Sequence, residues 1–567
     1  MSTPGVGPVP HNDPVTRSAL PPVADSAAAR KARGAFFTPP EIADYVTQWA
    51  VRSAGERVLE PSAGDAAFLV AASRRLSALG AQASPVLDGV EIHAASARTA
   101  RQRVRDAGGT PRIRTADFFA VEPDASYTAV IGNPPFIRYQ DFRGEPRSQS
   151  RRAALKAGVT LSGLASSWAA FTVHAALFLQ DGGRLGLVLP AELLSVNYAA
   201  AVRRFLFERF RTIELVMFDE RVFPEAEADV VLLLADGFNQ GPSEHAVIHR
   251  ATNAASLTSE LAQRRWAPVD PAEKWVSGLV GSEPVEALRG VTEAGWFTTL
   301  DLWGDTTLGI VTGNNGFFAL SAERVAELGL LASDLVPLSP PGSAHLRGLS
   351  LSRALLDRLE GDGKAVHLFR PSAEPSAAAL RYVAAGRAAG VHLAYKCRVR
   401  TPWYLVPLLK PADLLLTCMN ADTPRLVANP VRAHHLNSVH GVYLNDAVGP
   451  AGRALLPLAA LNSVTVLHAE MVGRSYGGGI LKIEPREADR WFVPSPGLVE
   501  ARASQLAGVK RTVAGLLRKG MLADAVSLVD AALGLEQLLG APALVESVRA
   551  ARDSLAARRQ SRSRRGR

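Results

Sequence analysis

Asn133, Pro134, Pro135 and Phe136 follow directly on an apolar run that ends in Val130 and Ile131. A loop at the carboxyl end of a buried strand is where α/β sheets place ligands. Most Pro-Pro pairs only turn the chain, but this one opens on an amide and closes on an aromatic ring. That combination suits one reaction. An aromatic amine is a poor nucleophile because its lone pair is delocalised into the ring. Two acceptors that bind both amine hydrogens draw the nitrogen towards tetrahedral geometry and localise the pair. The Asn133 side-chain oxygen and the Pro134 carbonyl can be those acceptors, since proline offers a carbonyl and no competing N–H. Phe136 can stack on the base, a contact worth roughly 1–3 kcal/mol. An activated methyl sulfonium then needs neither a metal nor a covalent nucleophile.

The upstream residues fit the same chemistry. Leu59-Glu60-Pro61-Ser62-Ala63-Gly64-Asp65-Ala66-Ala67-Phe68-Leu69 reads as a strand, a turn of small residues and a helix start. Small residues let a backbone approach a ligand, and a helix N-terminus favours its carboxylate. Glu91 ends a second strand, where an acid can grip both ribose hydroxyls. Asp117 and Phe118 follow a third, where Asp can accept from an adenine amine. Read singly, each acid is as readily a solvated strand end or a helix cap. Four successive strand ends with suitable groups argue against coincidence.

These residues need elements to hold them. Ile42, Tyr45, Val46 and Trp49 fall at helical spacing, with Thr38 as N-cap, Pro39 at the first helical position and Glu41 closing a capping box. Strands are expected at 57–60, 86–92, 113–115, 128–131, 184–189, 213–218 and 230–235, alternating with helical stretches as in a doubly wound α/β sheet. Only a loop separates the last two, so one of them is expected to run antiparallel. The expected organisation is a disordered tail at 1–33, a catalytic domain at 34–240, a connector at 241–300, a second domain at 301–498, mixed α/β or mainly β, and a helical segment at 499–567. Six arginines in the last ten residues suggest a disordered basic arm.

The order Gly34…Phe37-Thr38-Pro39, LEPSAGDAAFL at 59–69, GVEI at 89–92, ADF at 116–118 and GNPPF at 132–136 resembles the gamma-class adenine DNA methyltransferases, the TaqI-like group. The resemblance covers about residues 34–235. It implies a Rossmann-like domain with a mixed, mostly parallel sheet that binds S-adenosylmethionine, followed by a target-recognition domain. Thr38, Glu60, Ala63, Glu91, Ile92, Asp117 and Phe118 would surround the cofactor. Asn133, Pro134 and Phe136 would hold the adenine, with Phe223 on the opposite face of the flipped base. Ala66 stands where the family has a second glycine, and Phe136 replaces the tyrosine of many relatives, although stacking needs no hydroxyl. Segments 309–318, 437–443 and 473–479 resemble the recognition part more faintly. Lys396, Arg398 and Arg400 alternate, so on a strand they share one face. With Trp403 and Tyr404 following, that face suits DNA contact, or else a solvated edge strand.

A formal charge of +9 agrees with a polyanionic partner, here double-stranded DNA. Cys397 and Cys418 are the only cysteines, which gives no disulfide framework and fits the cytoplasm. Neither follows a proline at a strand end, which disfavours cytosine ring-carbon methylation. His434, His435 and His440 lack ligand spacing, so no metal is expected and they read as polar loop residues. No apolar run is long enough for a membrane span, and no signal peptide opens the chain. A monomer is expected, with no nuclease in the same chain and with a separate restriction endonuclease as a possible partner. The competing functions are methylation of RNA or of a protein glutamine, and an inert DNA-binding specificity or defence component.

Overall fold

The computed structural model describes residues 38–561 except 221, 224–229, 259 and 269, so the expected tail at 1–33 and the arginines beyond 561 lie outside the described residues. The first helix, α1 (Pro40–Ala50), buries Ile42, Val46 and Ala50. Thr38 does not cap it: Pro39 holds the N-cap position and no side chain bonds there. The Thr38 hydroxyl has another partner, described below.

Nine strands form one sheet: β1 (Val58–Glu60), β2 (Val86–Glu91), β3 (Thr110–Thr115), β4 (Tyr127–Gly132), β5 (Leu179–Pro190), β6 (Phe210–Phe218), β7 (Val230–Phe238), β8 (Ala246–Ala251) and β9 (Ala262–Trp266). Their spatial order is β3-β2-β1-β4-β5-β7-β6-β8-β9. The first five run parallel. β7 lies antiparallel between β5 and β6, as the short β6–β7 connection requires. β8 and β9 extend the sheet beyond β6. The expected connector is therefore partly sheet: β8 is paired on both sides and only β9 is an edge strand, and their short runs, broken by His249, Arg250, Gln263, Arg264 and Arg265, hid them.

Side chains alternate between two cores, as the strand period dictates. On β7, Val230, Leu232 and Leu234 face the layer containing α1, α2 (Ala67–Ala78) and α3 (Ala94–Asp106). Val231, Leu233 and Ala235 face the opposite layer, which holds α4 (Gly144–Lys156), α5 (Ser167–Ala176) and α6 (Ala200–Arg209). Close approach sets one composition rule on β5. A Cβ on Gly186 would come 2.6 Å from a Val46 methyl, so only glycine lets α1 lie this low on the sheet.

The remainder is mixed α/β. An antiparallel sheet orders Gly304–Leu308, Val439–Leu444, Leu414–Thr417 and Leu426–Ala428 side by side. One large core joins Val276 and Val280 to helix Ser282–Glu293, the sheet and the closing helices, as far as Leu555. The final helix, Pro542–Ser561, packs within this core. Two of the six terminal arginines thus belong to the fold rather than to an arm. Arg559 is 3% exposed and forms a bidentate pair with Glu470 at 2.7 and 3.0 Å. It also donates to the carbonyls of Ala421, Asp422 and Gly479. Arg558 reaches the Phe218 carbonyl at the end of β6 (3.1 Å). Among the described residues no single helix is long and apolar enough to cross a membrane.

Candidate active site

The chain leaves β1 for β2 and β3 on one side, and crosses to β4 and β5 on the other. That reversal opens a crevice at the carboxyl ends of the strands. Glu60, Glu91 and Asp117 stand at or just past the ends of β1, β2 and β3, and Asn133 follows β4.

On the β1–β2 side the turn is built to expose backbone. Gly64 and Ala66 both adopt left-handed conformations, with φ of 51° and 62°. Glycine takes that conformation freely, whereas alanine pays roughly 1–2 kcal/mol, so Ala66 is the strained member of the turn. Glu91 is fixed by two backbone donors, Gly64 N–H at 2.9 Å and His93 N–H at 2.8 Å. Glu60 is 2% exposed and accepts from Leu69 N–H at 3.2 Å. Burial, then the negative charge of Asp65, push its carboxyl well above the usual carboxylate range. Among the described residues neither Glu60 nor Glu91 has a cationic partner. Ile92, next in the chain, leaves its side chain 61% exposed at the strand end. Asp117 caps the turn Phe118–Ala120 by accepting from Phe119 N–H at 3.0 Å. Phe118 turns into the core against Phe171 and Phe178, which leaves its backbone rather than its ring towards the crevice. Ala63 is buried, its N–H bonded to Val90.

The β4 loop is held from both sides. Ser62 Oγ donates to the Asn133 carbonyl at 3.1 Å, and Ser167 Oγ donates to the Pro135 carbonyl. The Pro134 carbonyl between them takes no hydrogen bond from the described residues. Asn133 Nδ2 donates to Thr38 Oγ1 at 3.2 Å, so the amide is anchored through its nitrogen and its oxygen is left for a ligand. Phe136 is half-buried between the two cores, while Phe223 is 5% exposed in the α1–α3 core. Sequence reasoning missed the two serines. Ser62 lies inside a recognised motif, but Ser167 opens a helix far downstream and carries no local signal.

Residues 23–253 match the N-6 DNA methylase family. The chain is an N-6 adenine DNA methyltransferase. That match disfavours RNA and protein glutamine as substrates. Residues 272–533 of the methyltransferase match the C-terminal domain of the Type II methyltransferase M.Eco57I. It is 27% identical over 480 residues to the Type II methyltransferase M.XamI of Xanthomonas campestris pv. amaranthicola, covering 82% of this chain and 85% of that one. It is 23% identical over 490 residues to M.AccI of Acinetobacter calcoaceticus, covering 84% and 88%. Its fold is similar to that of the Type IIL restriction-modification enzyme MmeI, solved in complex with DNA: TM-score 0.57, 13% identity, 91% of this chain and 75% of that one.

Two expectations for the second half of the methyltransferase need correction. Lys396, Arg398 and Arg400 do not share a strand face, because Tyr395–Arg398 is a helical turn in which alternate residues point apart. Arg400 is committed to the fold, with its guanidinium on the Val311 and Thr312 carbonyls, while Lys396 and Arg398 stay exposed. The histidines are not loop residues in solvent. His434, His435 and His440 are buried, and no group of metal-ligating side chains occurs among the described residues.

Proposed function

We propose that this methyltransferase transfers a methyl group from S-adenosylmethionine to the exocyclic amine of an adenine rotated out of double-stranded DNA, as a TaqI-like modification enzyme of a restriction-modification system. One observation carries the reading. The carbonyls of Asn133 and Pro135 are engaged by serines, while the Pro134 carbonyl and the Asn133 amide oxygen are left as a pair of acceptors at the sheet's switch point.

The crevice suits the cofactor. Two buried acids without cationic partners match a ligand that carries a sulfonium and an ammonium. Glu91, pre-oriented by two N–H groups, is placed for the ribose hydroxyls, and Ile92 offers an exposed apolar face to the adenine ring. Asp117 and the Phe118 backbone suit the adenine edge, and Thr38, Glu60 and Ala63 close the remaining sides. Bound S-adenosylmethionine supplies a methyl group already activated by positive sulfur.

The protein's own task is to sharpen the nucleophile. Asn133 Oδ1 and the Pro134 carbonyl each accept one amine hydrogen, which localises the nitrogen lone pair towards the methyl carbon. Phe136 stacks on one face of the base. Phe223, buried before DNA arrives, needs a shift of its loop to reach the other face. Extruding the base costs a few kcal/mol, which these rings offset in part. The Type II methyltransferase relatives favour a modification role, and a separate restriction endonuclease of the same specificity completes the proposed system. Purified protein should methylate adenine in duplex DNA, and Asn133→Ala should abolish the transfer while still binding S-adenosylmethionine in calorimetry. Substantial turnover by that variant would show that the amine acceptors lie elsewhere.

A further inference from the structure

From residue 375 to residue 412 the chain carries six Lys and Arg and no Asp or Glu. Arg381, Arg387, Lys396, Arg398 and Lys410 are exposed, and none pairs with an acid among the described residues. In the middle of this stretch Leu393, Tyr395 and Val399 stand 66%, 65% and 62% exposed. They rank with the most exposed large apolar side chains of the described residues. Lys396 Nζ and Arg398 Cζ each lie 5.9 Å from the centre of the Tyr395 ring.

This ridge is firmly mounted. Cys397 is fully buried beneath it, with Sγ 3.6 Å from the Thr312 carbonyl. Arg400 donates to the same carbonyl at 2.7 Å, and Trp403 packs 5.5 Å from Phe317. A fold that fixes three apolar side chains in water gains nothing from them internally, since stabilisation comes with removal from water. The surrounding charge selects what covers them. A protein surface would have to match Lys396 and Arg398, which flank the Tyr395 ring, with acids. Duplex DNA presents phosphates on either side of stacked bases, whose apolar faces open to a side chain that parts a base step, the same alternation of charge and apolar surface.

We propose that the turn from Leu393 to Val399 is a wedge seated in a groove of duplex DNA, with the Tyr395 ring against the base stack and Lys396 and Arg398 on the flanking phosphates. Apolar side chains inserted between base steps are an established way of deforming a duplex. The proposal rests on the functional reading above and adds a contact that the catalytic crevice does not supply.

The test titrates labelled duplex DNA with the full-length protein over a salt series. Tyr395→Ala should weaken binding roughly 5- to 150-fold, the range an aromatic–base stack supplies, with the salt slope unchanged. Tyr395→Phe should bind as the wild type does. Lys396→Ala with Arg398→Ala should lower the slope of log affinity against log salt by about 1.8, two phosphates' worth. S-adenosylmethionine binding should be unaltered in every variant. Unchanged affinity in Tyr395→Ala, while the wild type binds and methylates the duplex, would overturn the wedge and leave the functional reading standing. A changed oligomeric state in light scattering with unchanged DNA affinity would assign the ridge to a protein partner and overturn it equally. A wild type that binds no duplex at all would remove the functional reading and the wedge together.

Discussion

At the scale of single residues, the hydrogen bond from Asn133 Nδ2 to Thr38 Oγ1 links side chains 95 positions apart and decides which end of the amide meets the substrate. Thr38→Val keeps the shape and removes the acceptor. It should lower kcat by more than it weakens binding of the cofactor whose proposed pocket Thr38 also lines, and Thr38→Ser should restore both. A loss of cofactor affinity with kcat at saturation unchanged would mean that Thr38 serves the cofactor and not the amide. Glu60 gives a second prediction, with opposite signs for stability and binding. Its native carboxyl holds its proton to a higher pH than it would in the unfolded chain. Its contribution to stability is therefore full at acid pH and is lost as pH rises from the ordinary carboxylate range through the raised native value, at about 1.4 kcal/mol per tenfold change in proton affinity. Glu60→Gln should be more stable than wild type at neutral pH without cofactor, with the gap closing near pH 4. The same variant should bind S-adenosylmethionine more weakly, because the negative charge is gone. A melting series with and without cofactor checks both signs.

Among the elements, legibility followed hydrophobic pattern. β1, β2 and β4 to β7 are apolar enough to announce themselves, the edge strand β3 shows only Ile113 and its place before Asp117, and the order of the terminal acids places the crevice from the sequence alone. β9, with the sequence AQRRW, carries no such pattern because an edge strand needs to bury little. The Lys396–Arg400 alternation failed for a related reason: two cations separated by one residue fit a strand face and a helical turn equally well, and the packing of Cys397 decides between them. Thr38 resembled a cap because its partner lies across the sheet. The last helix shows how far composition can mislead, since arginines counted as a free arm include the buried Arg559. Arg559→Ala should cost about 3–5 kcal/mol by stranding Glu470. Chemical denaturation should show that loss largely recovered in the double variant Arg559→Met with Glu470→Leu. Equal instability of single and double variants would mean that the carbonyl contacts, not the ion pair, hold the helix.

For the molecule as a whole, burial of ionisable groups sets an acid limit. His435 is 2% exposed, and burial, reinforced by His434 and His440, holds its pKa down to about 4. His468, which accepts from Phe492 N–H, is held down to about 3 by burial. Groups with depressed native pKa contribute stability above the unfolded value near 6.5, and that contribution is lost as pH falls through the native value. Urea midpoints should therefore drop between pH 6.5 and 4. The drop should be shallower in His435→Leu, by roughly 3 kcal/mol at the acid end. An identical pH profile would place the acid-sensitive step elsewhere. The second core begins at Val276 and is closed by helix Ser282–Glu293 lying against the final helix, where Ser547 donates to Glu283 across 264 positions. Its first and last segments therefore travel together in any exchange of sequence between related genes. A crossover between Trp266 and Val276 passes the whole C-terminal half on intact, whereas one near residue 300 separates a helix from the core it completes. Exchange of the C-terminal half between related genes should leave its junctions in that short window, ahead of Val276.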